Sequence, residues 1–195
     1  EGGHTWIDLG LPSGIKWAST NIGATRPQDA GNYYAWGETT PKTDFRWATY
    51  SHGTAYNSLT KYSLKDGLWT LDATDDVVSC TWGGTWRMPT KNEWSELQEH
   101  CAWTWTDDYN ETGVAGYVVA SKSNDASLFL PAAGCRYANQ INEKGVHGYY
   151  WSSSLFNNHS SYRGSAYQLQ FFQAIVKSNW NYTRYYGSSV RGVCN

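Results

Sequence analysis

The chain has 195 residues, enough for one hydrophobic core and short for two. Charged residues make up only 16% of it, the net charge is −2, and 12 Trp and 15 Tyr bring aromatic residues to 16%. This balance argues against binding of nucleic acid or a membrane surface by the whole chain. No run of about 18 apolar residues exists that could cross a bilayer. We therefore predict a single domain over residues 1–195, with no nucleic-acid partner and no membrane insertion within this segment.

Short apolar runs with a period of two predict strands along the chain. They lie at residues 5–9, 117–120, 128–130, 166–171 and 189–193. Clusters of Gly and Asn between these runs predict turns.

Two segments carry helix signals. The acidic residues that precede Val77 predict a weak helix over 72–79, because negative side chains stabilise a helix N-terminus. A stronger signal starts at Thr90, which forms a capping-box pattern with Glu93. Apolar residues then follow on one helical face up to position 101, namely Trp94, Leu97 and Cys101. We expect an α+β fold, with two or so helices on twisted, mostly antiparallel strands and long loops.

The segment after Glu143 differs in composition from the rest. It contains no Asp or Glu, and twelve aromatic residues between positions 149 and 186 alternate with Ser, Asn and Gly. Tyr and Trp supply rigid contact area in antibody paratopes, while Ser and Asn supply adaptable hydrogen bonds. Alternate residues are expected in the core instead, among them Trp151, Leu169, Phe171 and Val190. The predicted ligand-binding residues are Tyr149, Phe156, Asn158, His159, Tyr162, Asn179, Trp180, Tyr182, Arg184 and Tyr185.

Two sets of motifs carry a family resemblance. The run at 82–94 reads WGGTWRMPTKNEW and resembles the R-[LM]-P-T-x-x-E-W signature of formylglycine-generating-enzyme-type domains, a branch of the C-type-lectin fold. Further stretches resemble the Fibrobacter-type major paralogous domain family, found largely in Bacteroidetes surface proteins; they lie at 7–18, 35–39, 130–134, 148–154 and 186–191. The resemblance implies a C-type-lectin-like fold over essentially the whole chain and an extracytoplasmic location, secreted or at a cell surface.

The C-terminal layout has a second resemblance. A WSSS entry at 151–154, a stretch rich in Asn and Tyr, and a closing GSSVR at 187–191 are similar to variable regions of diversity-generating retroelement target proteins. In those proteins a constant fold holds a surface whose residues are diversified at Asn codons. This resemblance implies recognition of a protein or glycan target at a cell or phage surface. The alternative is a structural or adhesive domain of a larger surface or pilus-like protein.

Catalytic and metal-binding patterns are missing from the sequence. The five histidines show no HExxH spacing, and neither a GxSxG elbow nor a P-loop is present. Formylglycine-generating enzymes use a cysteine pair near the C-terminus, and the corresponding stretch 161–173 has none. Calcium needs several oxygen ligands, usually including carboxylates, and the acidic loop at 107–111 is more typical of a solvated turn. We predict no enzyme activity, no cofactor and no metal; a calcium-independent lectin and a formylglycine-generating-type enzyme are less favoured.

The four cysteines are widely spaced and form no CxxC pair. An even number fits one or two disulfides in a secreted protein, or buried thiols in a reducing compartment. In the C-type-lectin fold the long helix and the last strand lie near each other, and a disulfide often joins them. The resemblance therefore implies a Cys101–Cys194 bridge, with Cys80 and Cys135 as a second pair or as two thiols.

Overall fold

The computed structural model describes residues 2–63, 65–156 and 164–195. Within them lie two α-helices, α1 (Val77–Trp82) and α2 (Lys91–His100). The strands are β1 (Trp6–Ile7), β2 (Lys16–Asn21), β3 (Cys101–Thr106), β4 (Gly116–Ser121), β5 (Ser127–Pro131), β6 (Cys135–Tyr137), β7 (Gln140–Asn142), β8 (His147–Leu155), β9 (Ser165–Phe172), β10 (Ile175–Thr183) and β11 (Arg191–Cys194). No helix among these residues has the length and apolar character needed to cross a bilayer.

The fold is mostly β, so the expectation of an α+β, C-type-lectin-like fold is wrong. Strand accounts for 39% of the structure and helix for 12%. The strands of the described ranges form four small antiparallel sheets, in the orders β1-β2-β11, β10-β9-β8, β3-β4-β5 and β6-β7. Two short helices are too little to form a layer over these sheets.

The helix predicted over 72–79 begins at Val77, five residues after the predicted start. Asp76 is the N-cap of α1, and its Oδ1 accepts hydrogen bonds from the backbone N–H groups of Val78 (2.9 Å) and Ser79 (3.0 Å). Its Oδ2 accepts from Met88 N at 2.8 Å, which ties α1 to the chain before α2. The acidic cluster therefore marks a turn and a cap, as short carboxylate side chains commonly do.

The prediction for α2 is confirmed except at its last residue. Thr90 is the N-cap, and its hydroxyl and the Glu93 carboxylate close the capping box at 3.3 and 2.7 Å. Arg87 donates two hydrogen bonds to the same carboxylate, at 2.8 and 2.5 Å. Trp94 and Leu97 are buried, whereas Cys101 starts β3.

Apolar side chains from α2 and from three sheets meet in one core cluster, to which the N-terminal sheet adds Trp17. α2 contributes Trp94 and Leu97, the β3–β5 sheet contributes Val119 and Leu130, and the β8–β10 sheet contributes Phe171. The strands predicted at 117–120, 128–130 and 166–171 supply Val119, Leu130 and Phe171. Each prediction is confirmed, and each strand extends one residue further at both ends. Of the strand predicted at 5–9, only Trp6–Ile7 pairs with a neighbouring strand. The strand predicted at 189–193 forms later, as Arg191–Cys194.

The four cysteines form no disulfide, so the Cys101–Cys194 bridge implied by the resemblance is wrong for this structure. Cys101 lies opposite Ser121 in the β3–β5 sheet, whereas Cys194 lies opposite Lys16 in the N-terminal sheet. The two residues belong to different core clusters, and a disulfide requires Cα atoms within about 7 Å. Cys80 is exposed and Cys135 is buried, and they do not pair either.

Candidate ligand-binding surface

The sheet β10-β9-β8 presents different side chains on its two faces. Opposite residues in antiparallel strands project to the same side, and successive residues project to opposite sides. The register places Tyr149 opposite Gln170, and Gln170 opposite Lys177. Their neighbours Tyr150 and Leu169 point the other way and are fully buried in the cluster that contains α2. The Tyr149–Lys177 face is therefore turned away from α2.

A second row of side chains lies on the same outer face. His147 is opposite Phe172, and Phe172 is opposite Ile175. The His147 ring centroid lies 4.9 Å from that of Phe172 and 5.8 Å from that of Tyr149. Ile175 is 38% exposed, so this end of the row reaches solvent.

A β-bulge brings Trp180 onto the outer face. Lys177 pairs with Gln170 and Trp180 pairs with Gln168, so β10 uses three steps where β9 uses two. Without the extra residue, side chains three positions apart would project to opposite sides. With it, the Lys177 Nζ lies 4.5 Å from the centroid of the Trp180 ring. The bulge therefore pairs a cation with an aromatic ring on one surface.

Helix α2 holds this bulge from the inner side. Gln98 accepts a hydrogen bond from Ser178 N at 3.0 Å and donates one to Val176 O at 3.0 Å. The hydroxyls of Ser95 and Ser178 are 3.1 Å apart. Because both the donor and the acceptor of Gln98 bond β10 around the bulge, the register of the strand there depends on α2.

A series of tyrosine rings extends the outer face beyond the sheet. Tyr149 lies 5.5 Å from Tyr182, and Tyr182 lies 4.5 Å from Tyr186, between ring centroids. Tyr186 stacks with Tyr185 at 4.8 Å and with Tyr137, from the β6–β7 hairpin, at 5.2 Å. Tyr137 is 43% exposed. Each ring is thus held by at least one other.

We call this surface the aromatic face. It consists of Ile175, Phe172, His147, Gln170, Lys177, Trp180, Tyr149, Tyr182, Tyr186, Tyr185 and Tyr137. Trp180 is 39% exposed, Tyr182, Tyr185 and Tyr186 are half-buried, and Tyr149 forms the buried floor.

Two phenols of the aromatic face, those of Tyr149 and Tyr182, stay neutral at physiological pH. The Tyr149 hydroxyl donates to the Glu143 carboxylate, and burial, followed by this carboxylate, raises the pKa of Tyr149 far above its usual value of 10. Burial also raises the pKa of Tyr182, with a further contribution from Cys135. A neutral phenol can donate as well as accept a hydrogen bond. The fixed positive charge of the face therefore comes from Lys177.

The ten ligand-binding residues predicted from the sequence lie in different parts of the structure. Asn179 and Trp180 are exposed, as predicted, and Tyr182 and Tyr185 are half-buried in the aromatic face. Tyr149 is buried, at 3% exposure, so it supports the surface from below. Asn158, His159 and Tyr162 lie outside the described residues.

Arg184 was expected on the surface and is instead fully buried. Its guanidinium donates to the backbone oxygens of Lys61 (3.3 Å) and Tyr62 (2.9 Å) and lies 5.3 Å from the Trp36 ring centroid. Burial lowers the pKa of Arg184. Arg184 joins the C-terminal chain to the 61–62 segment and is not available to a ligand.

Phe156 lies on the opposite side of the sheet from the aromatic face. Its ring meets the Tyr167 ring at 5.0 Å, and Lys91 of α2 places its Nζ 4.6 Å from the same Tyr167 ring. Tyr167 precedes Gln168 on β9 and therefore projects towards the α2 side. Among the described residues, Phe156 is therefore apart from Trp180 and from the tyrosines of the aromatic face.

Several residues of the aromatic face were missed at the sequence level. They are Tyr137, His147, Gln170, Phe172, Ile175, Lys177 and Tyr186. His147 and Phe172 face each other in the pairing register, but burial along β8 and β9 does not alternate, so no local pattern indicated them. Tyr137 belongs to a separate hairpin, and no local pattern links it to the C-terminal strands.

The acidic loop after β3 uses its carboxylates internally. Asp107 accepts a hydrogen bond from the Trp105 indole at 2.7 Å, and Asp108 accepts one from Gly113 N at 2.6 Å. Within the described ranges, no group of three or more His, Cys, Asp or Glu side chains is arranged to hold a metal ion.

No family model, curated protein or solved structure matches this chain. The resemblances to the Fibrobacter-type family and to retroelement variable regions therefore remain predictions.

Proposed function

We propose that this chain is a ligand-binding module that contacts a protein partner through the aromatic face, and that it is not an enzyme. We place it outside the cytoplasm, at a cell surface or on a virion. The observation that carries the proposal is the continuous series of ring contacts from Phe172 and His147, which are half-buried, to Tyr137, which is exposed.

The residue types of the aromatic face are those that dominate the energetics of protein interfaces. Trp, Tyr and Arg are the commonest hot-spot residues, and an exposed group of such rings marks an interaction site. Trp180 and Tyr137 offer exposed ring surface, while the half-buried Tyr182 and Tyr186 offer ring edges and hydroxyls. A partner with an apolar centre and hydrogen-bonding groups around it fits this surface.

The rings are also held in place before a partner arrives. Tyr186 touches three other tyrosine rings, and Lys177 contacts Trp180. Ordering a rotamer-rich side chain at an interface costs about 0.5–1.5 kcal/mol. Rings that already contact one another lose less freedom on binding, which favours a low entropic cost of association.

The charge of the C-terminal segment indicates the type of partner. Lys177 lies on the aromatic face, and residues 144–195 contain no carboxylate side chain. The Glu143 carboxylate accepts the Tyr149 hydroxyl. We expect a neutral or acidic partner surface, because complementary charge speeds association and like charge suppresses it.

The similarity of residues 151–191 to retroelement variable regions supports the same function. Such regions present changeable residues for target recognition, and Asn179 and Trp180 are exposed next to the bulge. A nearby reverse transcriptase and an adenine-bearing template copy of 149–191 in the genome would strengthen this assignment.

The test uses two matched tryptophans. Trp180 is 39% exposed with Lys177 at 4.5 Å, and Trp6, in the N-terminal sheet, is 43% exposed with Lys16 at 5.0 Å. Labelled protein is screened on a protein array and a glycan array, and hits are re-measured with Trp180→Ala and Trp6→Ala. We expect protein hits whose affinity falls about 30-fold or more in W180A, corresponding to about 2 kcal/mol for a hot-spot residue, and is unchanged in W6A.

Three results would contradict the proposal. Hits confined to glycans would replace the protein partner with a carbohydrate. Equal losses in W180A and W6A would place the contact elsewhere. Self-association in sedimentation velocity that W180A abolishes would favour the structural or adhesive role instead.

A further inference from the structure

A cavity of about 360 Å³ lies apart from the aromatic face. It is lined by residues 37–42, Ser51, His52 and Asp75. Its volume falls within the range of roughly 300–1,000 Å³ that is typical of small-molecule sites. The stretch 35–39, one of the motifs in the family resemblance, supplies part of its wall, and nothing in the aromatic face accounts for that motif.

A glycine gives the cavity its shape. Gly37 has φ of 80°, a backbone conformation that favours glycine, and its carbonyl oxygen lies 2.8 Å from His52 Nε2. A Cβ at position 37 would lie 3.1 Å from the same nitrogen. The sharp turn lets Glu38 accept a hydrogen bond from Ser51 N at 2.8 Å. The two segments that line the cavity are therefore joined by direct hydrogen bonds.

The charges around the cavity are neutralised in pairs. The Lys42 ammonium lies 2.7 Å from the Glu38 carboxylate, whose side chain is only 9% exposed. Asp75 is paired with Lys61 at 2.7 Å and accepts the Tyr62 hydroxyl. Since each carboxylate already has a cation, neither an anion nor a cation finds an unpaired opposite charge here.

Uncharged polar groups remain available in the same cavity. The hydroxyls of Thr39, Thr40 and Ser51 make no hydrogen bond to any described residue, and one ring nitrogen of His52 is likewise unused. Each hydroxyl can donate one hydrogen bond and accept two. Grouped donors and acceptors without net charge are complementary to a molecule that carries several hydroxyl groups.

We propose that this cavity is a second binding site, which takes a neutral polyhydroxylated ligand such as a pyranose sugar. Thr39, Thr40 and Ser51 bond the ligand hydroxyls, and the Lys42–Glu38 pair forms a polar wall. The site is independent of the proposed function: none of its lining residues belongs to the aromatic face.

The experiment measures binding of small probes by saturation-transfer-difference NMR on the whole chain. The neutral probes are the methyl glycosides of glucose, galactose, mannose and N-acetylglucosamine; the charged probes are acetate and methylammonium. We expect millimolar binding of at least one glycoside, the range of weak small-molecule affinities, and no binding of either ion.

Variants then locate the binding. The double change T39V/T40V removes two hydroxyls with little change in shape and is expected to weaken glycoside binding about tenfold or more. The matched control is Thr104→Val, at an exposed position of β3, and W180A serves as the control for the aromatic face. Both controls are expected to bind the glycoside like the unmodified chain.

The proposal is overturned if no glycoside binds, if acetate or methylammonium binds in preference, or if T39V/T40V retains full affinity. Thermal unfolding of each variant shows whether the chain is still folded. If T39V/T40V were unfolded, the single change Ser51→Ala would replace it, with the same expected loss of glycoside affinity.

Discussion

The two faces of the β8–β10 sheet contain similar residues and have different roles. Phe171 and Tyr150 are fully buried on the face that packs with α2. Their immediate neighbours, Phe172 and Tyr149, belong to the aromatic face, where the phenylalanine is half-exposed and the tyrosine has its hydroxyl on a carboxylate. Residue type alone therefore does not distinguish core from surface in this sheet. The side of the strand separates Phe171 from Phe172, whereas Tyr149 and Trp151 are buried although they lie on the same side of the sheet as Phe172.

Replacing each of the adjacent phenylalanines with alanine should give the largest contrast. Phe171 packs its ring against Tyr117, Tyr150 and Trp105 in the core. F171A should lower the free energy of unfolding by about 3–5 kcal/mol, because the change leaves a cavity. F172A should cost about 1 kcal/mol or less and should weaken binding to any partner of the aromatic face. Guanidinium unfolding measures the first quantity. Similar stability losses in both variants would contradict the division of the two faces.

Gln98 connects α2 to the bulge of β10, and a substitution at this position tests that connection. Gln98→Met keeps most of the side-chain volume but removes the hydrogen bonds to Ser178 N and Val176 O. We expect a loss of about 1–2 kcal/mol in the free energy of unfolding. Because the bulge register also loosens, binding at Trp180 should weaken. The control is Glu99→Ala, at the next, exposed position of α2. Partner binding that survives Q98M unchanged would show that the bulge does not depend on α2.

How much of this could be predicted from sequence depends on how local the signal is. The capping box of Thr90 and Glu93 spans four residues, and α2 forms where it predicts. The acids at 72–76 also act locally, but as a turn and a cap, so the helix predicted there was misplaced. The α+β expectation failed because the described residues contain two helices, as expected, but eleven strands, many of them too short to have a clear sequence signal.

The amino-acid composition of the aromatic face could be predicted from the sequence, but the positions of its side chains could not. The density of Tyr and Trp after position 149 indicated a surface, and Trp180 and Asn179 are exposed. The bulge shifts β10 by one residue, so strict alternation assigns the wrong side beyond it. Arg184 can be buried because the carbonyl oxygens at positions 61 and 62, more than 120 residues away in the chain, accept hydrogen bonds from its guanidinium. Contacts at that separation leave no pattern in the sequence.

The smallest expected effect concerns Lys177 and its counterpart Lys16. Each ammonium lies over a tryptophan ring, at 4.5 Å from Trp180 and 5.0 Å from Trp6. Exposed cation–π contacts contribute about 0.5–1 kcal/mol, so Lys177→Met and Lys16→Met should lower stability by similar, small amounts. Their effects on binding should differ. Lys177 lies on the aromatic face, so its loss should slow association with an acidic partner at low salt, since interface charge acts mainly on the association rate.

Stopped-flow or surface-plasmon measurements at two salt concentrations test this difference. At about 1 M salt the Debye length is near 3 Å, so K177M and the unmodified chain should associate at nearly the same rate. K16M should match the unmodified chain at both concentrations, because Lys16 lies in the N-terminal sheet. A slower association that persists in K177M at high salt would mean that Lys177 acts by holding the Trp180 ring in place. Equal slowing in K16M would mean that the net charge of the chain matters and the position of the lysine does not.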